Sequence, residues 1–74
     1  MVHGIYLRNR PKSKWHLVSI AMSTEKAKQG VDLAINQAKS EGYDDPQAVI
    51  QTFDSAFYIP EYLSNVKEQK ILLN

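Results

Sequence analysis

Seventy-four residues, with nine Lys and Arg against eight Asp and Glu and no Cys, bound the chain to a single domain over 1–74 and close it to disulfides and thiolate chemistry. A chain this short buries only about 60% of its unfolded surface, so its core supplies about 3–5 kcal/mol and self-association becomes a natural aid. No apolar run approaches the roughly 20 residues of a membrane span, and no basic segment near Met1 leads into a long apolar one, so a soluble cytoplasmic protein without a signal peptide is expected.

Arg8, Arg10, Lys12 and Lys14 precede the first acidic residue, Glu25. Beyond that point five Lys face eight carboxylates, so +4 and −3 sum to the net +1. Such asymmetry bears on which partners a surface attracts, and not on the fold.

Val2 to Asn9 alternates Ile5 and Leu7 with Tyr6 and Arg8, the period-2 pattern of a half-buried strand. The polar connection Arg10 to Lys14 contains Pro11, which has no N–H to give a ladder. Trp15 to Met22 then reads as the second strand of a β-hairpin. Strict alternation sets His16, Val18, Ile20 and Met22 on one face and Trp15, Leu17, Ser19 and Ala21 on the other, so the strand is apolar on both. The following helix can cover one face. A partner protein or a second subunit is the natural cover for the other.

Ser23 is suited to cap a helix from Thr24 to about Glu41, with Glu25 in its positive first turn. Ala27, Val31, Ala34, Ile35 and Ala38 recur at helical period as one apolar stripe. Gly30 lies on that stripe at a cost of about 1 kcal/mol relative to Ala, which points to close approach of helix and sheet. Leu33 falls off it and is expected at the surface. Gly42 is placed to end the helix in a left-handed conformation, and Tyr43 to Pro46 is a turn. Ala48 to Phe53 reads as a third strand. Pro60 and Glu61 resemble a helix start, and Ile59, Leu63, Val66 and Leu73 fit a helical stripe, so a short C-terminal helix from Pro60 to about Leu72 is expected. The fold class is α+β: a small antiparallel sheet, made of a β-hairpin plus a third strand, packs on one main helix in ββαβ order with a short helix at the end.

Few residues carry chemistry. His3 and His16 fall near opposite ends of the hairpin, roughly 20 Å apart at about 3.3 Å per strand residue, too far for one metal site. Asp44 and Asp45 adjoin Pro46 and are explained by a turn. No nucleophile elbow, Gly-rich phosphate loop or zinc-protease signature is present, so the chain reads as a non-enzyme with no cofactor, metal or small-molecule substrate. The constellation with content is the basic hairpin. Tyr6, Arg8, Arg10, Lys12, Lys14, Trp15 and Leu17 are the candidate partner-contact residues, as a protein-contact or regulatory surface or a homodimer face. The alternative is weak single-stranded nucleic-acid binding, with cations on phosphates and rings on bases. A solvated edge strand guarded by Lys and Arg has the same composition.

The first strand, the helix start Ser23-Thr24-Glu25-Lys26-Ala27 and the later Phe57-Tyr58-Ile59-Pro60-Glu61-Tyr62-Leu63 resemble short uncharacterised ββαβ domains of bacteria and their phages that end in F-x-I-x-E-Y-x-L. Pro60 and the long stretch from Asp44 to Ser55 depart from that pattern. The resemblance implies a ββαβ order and a bacterial or phage setting, and it carries over no binding or catalytic residue.

Overall fold

In a computed structural model that describes residues 1–10, 13–55, 57, 59–64 and 66, the elements run β1 (Val2–Arg8), β2 (Trp15–Ala21), α1 (Thr24–Ser40), β3 (Gln47–Phe53) and β4 (Tyr62–Leu63). The four strands form one antiparallel sheet in the order β3-β1-β2-β4. The expected α+β class and ββαβ order hold. β1 occupies the centre, and the chain passes from β2 through α1 to β3 on the far side of β1. This crossover lays the helix over one face of the sheet.

Helix ends follow local chemistry. The Ser23 hydroxyl accepts from the Lys26 N–H at 3.2 Å, satisfying one of the unpaired amides of the first turn. At the other end the Gly42 N–H reaches the Lys39 carbonyl at 3.1 Å and the Tyr43 N–H reaches Ala38 at 3.0 Å. This paired closure needs a left-handed residue, and Gly42 supplies it at φ 98°. Tyr43 folds back onto the helix-side core.

That core unites Ile5 and Leu7 of β1, Ala21 of β2, Ala48 and Ile50 of β3, and Ala27, Val31 and Ala38 of the stripe on α1. The small residues on α1 bring its backbone close: a Cβ added at Gly30 would fall inside contact distance of Ile5 Cδ1. Leu33 is exposed, as its position off the stripe requires.

The opposite face carries a second cluster, Tyr6, Trp15 and Val49, packed against Leu17, Phe53, Ile59, Leu63 and Val66. Two expectations are corrected here. The expected helix from Pro60 does not begin, because Tyr62 and Leu63 pair with His16 and Trp15 as β4. The segment is held extended by its own carbonyls: Pro60 accepts from the Tyr6 hydroxyl at 2.6 Å and Glu61 from the Leu17 N–H at 2.8 Å. Ile59, Leu63 and Val66, three members of the expected stripe, still reach the core, but on a non-helical backbone. Residues 67–74, including Leu73, lie outside the described residues. The second correction follows directly, for at the Trp15 and Leu17 end the far face of β2 is covered by the chain's own C-terminal segment.

A β-bulge explains a third departure. Tyr6 stands opposite Leu17, but Ile5 stands opposite Ser19, so Val18 is an extra residue on β2. The alternation flips at that point. Trp15 and Leu17 face the second cluster, whereas Ala21, aligned with them by strict alternation, faces the helix-side core.

Candidate functional site

The structure brings Tyr6, Arg8, Trp15 and Leu17 together, but as the inner wall of the second cluster. Tyr6 is fully buried and Trp15 is 4% exposed. The Tyr6 ring tilts 59° against Phe53 with centroids 6.4 Å apart, and burial pushes its phenol pKa up. Arg8 lays its guanidinium over the Trp15 ring, 4.1 Å from the centroid, and its Nε donates to Gln47 Oε1 at 2.8 Å. Leu17 is half-buried. Neither aromatic ring offers a free face for a base to stack on. Arg10 and Lys14 are exposed at the hairpin turn, where the Ser13 N–H donates to the Arg10 carbonyl at 3.0 Å. Lys12 lies outside the described residues.

Charges separated in sequence meet in space. An open cleft of about 820 Å³ at this end of the sheet is lined by Arg8 and Lys39 together with Asp44 and Asp45, over apolar walls that include Trp15 and Ile35. The Asp45 N–H donates to Asn9 Oδ1 at 3.5 Å, tying the acidic turn to the end of β1. Two carboxylates therefore sit beside the basic end and offset the field that would draw phosphate.

The histidines lie apart, with His3 opposite Ala21 and His16 opposite Leu7. His3 Nδ1 is 3.0 Å from Thr52 Oγ1. Among the described residues no group of three or more His, Cys, Asp and Glu is disposed to hold a metal ion.

Below the basic turn, the outer edge of β2 is only partly covered. β4 pairs with Trp15 and His16, and the Glu61 carbonyl takes the Leu17 N–H. From Val18 to Ala21 no strand pairs on this side among the described residues. Val18, Ile20 and Met22, just past the strand, are 41%, 49% and 71% exposed. Ile20 stands opposite Gly4. A Cβ at Gly4 would meet Tyr6, Leu17 and Phe53 side chains at 3.0–3.4 Å, so Ile20 belongs to the face of the second cluster. Val18 instead lines a shallow groove with Ala34, Gln37 and Ala38 of α1. No charged residue occurs from Trp15 to Thr24. Natural edges are usually guarded by Lys, Pro or inward charges. The bulge at Val18 is one such guard, and it stands alone on this edge. The strand's apolar character on both faces, with its need for a partner, is visible in the sequence as eight neutral residues, Trp15 to Met22, running straight into the Ser23 cap, whereas the candidate contact residues fall at the charged end of the hairpin and at Trp15 and Leu17.

No protein-family model, curated protein or solved structure matches the chain.

Proposed function

We propose that the chain is a small non-catalytic interaction module whose contact element is the edge of β2 from Val18 to Ala21, with Met22 just past it. One observation carries the reading: an apolar, charge-free strand edge that no strand among the described residues pairs, directly beside a stretch of the same strand that β4 does cover. An open edge presents main-chain donors and acceptors in a fixed row, and a partner strand can extend the sheet while flanking apolar side chains set specificity. Burial of Tyr6 and Trp15, and the two carboxylates beside Arg8, remove support from nucleic-acid binding at the hairpin.

Photo-crosslinking tests the reading. A photoreactive residue placed at Ile20 in producing cells should give discrete products that the same residue at Leu33, an exposed position on α1, does not. If Ile20 yields no product above Leu33, the β2 edge is not a contact surface.

A further inference from the structure

We infer that the C-terminal strap, residues 59–64 with Val66, opens from the sheet as one unit while β1, β2, β3 and α1 stay folded. Release uncovers the face of Tyr6, Trp15 and Val49 and leaves the whole outer edge of β2, Trp15–Ala21, without a paired strand among the described residues. The inference goes beyond the edge reading and does not depend on what meets Val18 to Ala21.

The two faces of the sheet are unequally built. The helix-side core takes its buried residues from β1, β2, β3 and α1 and none from the strap. β1 pairs along all 7 of its residues with β3. This part of the molecule keeps its packing when the strap leaves.

Much less holds the strap. β4 is 2 residues long and pairs with His16 and Trp15 alone among the described residues. Ile59, Leu63 and Val66 are half-buried, and Glu61, Tyr62 and Ser64 are exposed. Two further hydrogen bonds tie the strap down, from the Tyr6 hydroxyl to the Pro60 carbonyl and from the Leu17 N–H to the Glu61 carbonyl. Few buried contacts and solvent-facing backbone bonds mark the segments that open short of global unfolding, and release returns the conformational entropy of each strap residue. Against this stand Tyr6, Trp15 and Val49, each buried beneath the strap and wetted on its release. The closed strap is therefore the ground state, and the open form is a minor state reached without loss of α1.

Native-state hydrogen exchange reads the opening at the Leu17 amide, which donates to the strap. In urea below the unfolding transition it should exchange at least about tenfold faster than the slowest amides of the β1–β3 ladder, and with a weaker urea dependence, because less surface is exposed. Two variants separate strap from fold. Tyr6→Phe removes a bond made only in the closed state and should speed Leu17 exchange about fivefold. Ile50→Val loosens the helix-side core that closed and open forms share, so it should speed the ladder amides about two- to tenfold and leave Leu17 unchanged. The chain has no Cys, so Val49→Cys places a single thiol beneath the strap, and its labelling should keep pace with the opening read at Leu17. Leu17 exchange that matches the ladder amides, or that accelerates with them in Ile50→Val, means that the second cluster opens only with the whole fold and overturns the inference. Fast Leu17 exchange with the Val49→Cys thiol labelled only on global unfolding reduces the opening to fraying of one edge and overturns it as well. Crosslinking from Ile20 tests the edge reading separately, so the two fail independently.

Discussion

Gly30→Ala tests the depth to which α1 settles on the sheet, because two well-known effects oppose each other there. In an exposed helix the change stabilises by up to about 1 kcal/mol through helix propensity and a less flexible unfolded chain. Here the new Cβ would fall inside contact distance of Ile5 Cδ1, and Ile5 is fully buried. That terminal methyl must shift within the core to admit the Cβ, and overpacking of this kind costs about 1–3 kcal/mol. The expected net effect is a loss of about 1 kcal/mol or more, and Gly30→Leu should lose considerably more. Ile5→Val deletes the very methyl that obstructs the Cβ, at its own cost of about 0.5–1.5 kcal/mol. In that background Gly30→Ala should become neutral or stabilising. Urea unfolding of the four proteins, followed by Trp15 fluorescence, gives a double-mutant cycle with an expected coupling of about 1–2 kcal/mol. Equal stabilisation by Gly30→Ala in both backgrounds would refute the close approach of helix and sheet.

Tyr6→Phe should cost about 1 kcal/mol by orphaning the Pro60 carbonyl, measured by thermal melting with Trp15 emission reporting release of the C-terminal segment. Burial raises the Tyr6 phenol pKa above its ordinary 10.0, so the unfolded chain loses this proton first. Stability from the group is full below pH 10 and falls as pH rises from there toward the folded pKa, and Tyr6→Phe should abolish that part of the alkaline decline. Gly42→Ala puts a side chain at φ 98° and should cost about 1 kcal/mol in urea unfolding despite the open space around it. Leu33→Ala, at a position 69% exposed, should alter stability by less than about 0.5 kcal/mol. Single-stranded oligonucleotides at about 50 mM salt should leave the amide resonances of Arg8, Arg10 and Lys14 in place, and a salt-sensitive shift at all three would revive the nucleic-acid reading.

The helix and three long strands were legible because each rests on local signals that tertiary context did not override. Ser23 caps, Gly42 closes, and the stripe from Ala27 to Ala38 meets the sheet within about a residue of the expected bounds. The bulge was not legible. A period-2 pattern assumes one residue opposite one, and nothing in Leu17-Val18-Ser19 announces that two β2 steps will face one step of β1. The C-terminal segment failed for a related reason. Ile59, Leu63 and Val66 have helical spacing, but spacing states only that three side chains need burial. Tertiary hydrogen bonds from Tyr6 and Leu17 capture the carbonyls of Pro60 and Glu61 and hold the chain extended.

The candidate surface shows how far charge in sequence can mislead. Four cations before any acid describe a basic end only if the acids stay elsewhere, and the fold instead carries Asp44 and Asp45 to the cleft that Arg8 lines. Arg8 is further engaged by the Trp15 ring and by Gln47, so this cation works within the fold. The C-terminal segment then divides β2 into two stretches of different use. Where Ile59, Leu63 and Val66 lie over it, the strand completes the second core. Where they stop, Val18 to Met22 keeps the apolar character of a covered strand with no paired strand among the described residues. A strand meant to remain at a free surface would gain solubility from a single Lys, and Ile20, with half its surface in water, stands where one could be placed. That the edge is apolar just where pairing among the described residues ends is what supports completion by another strand.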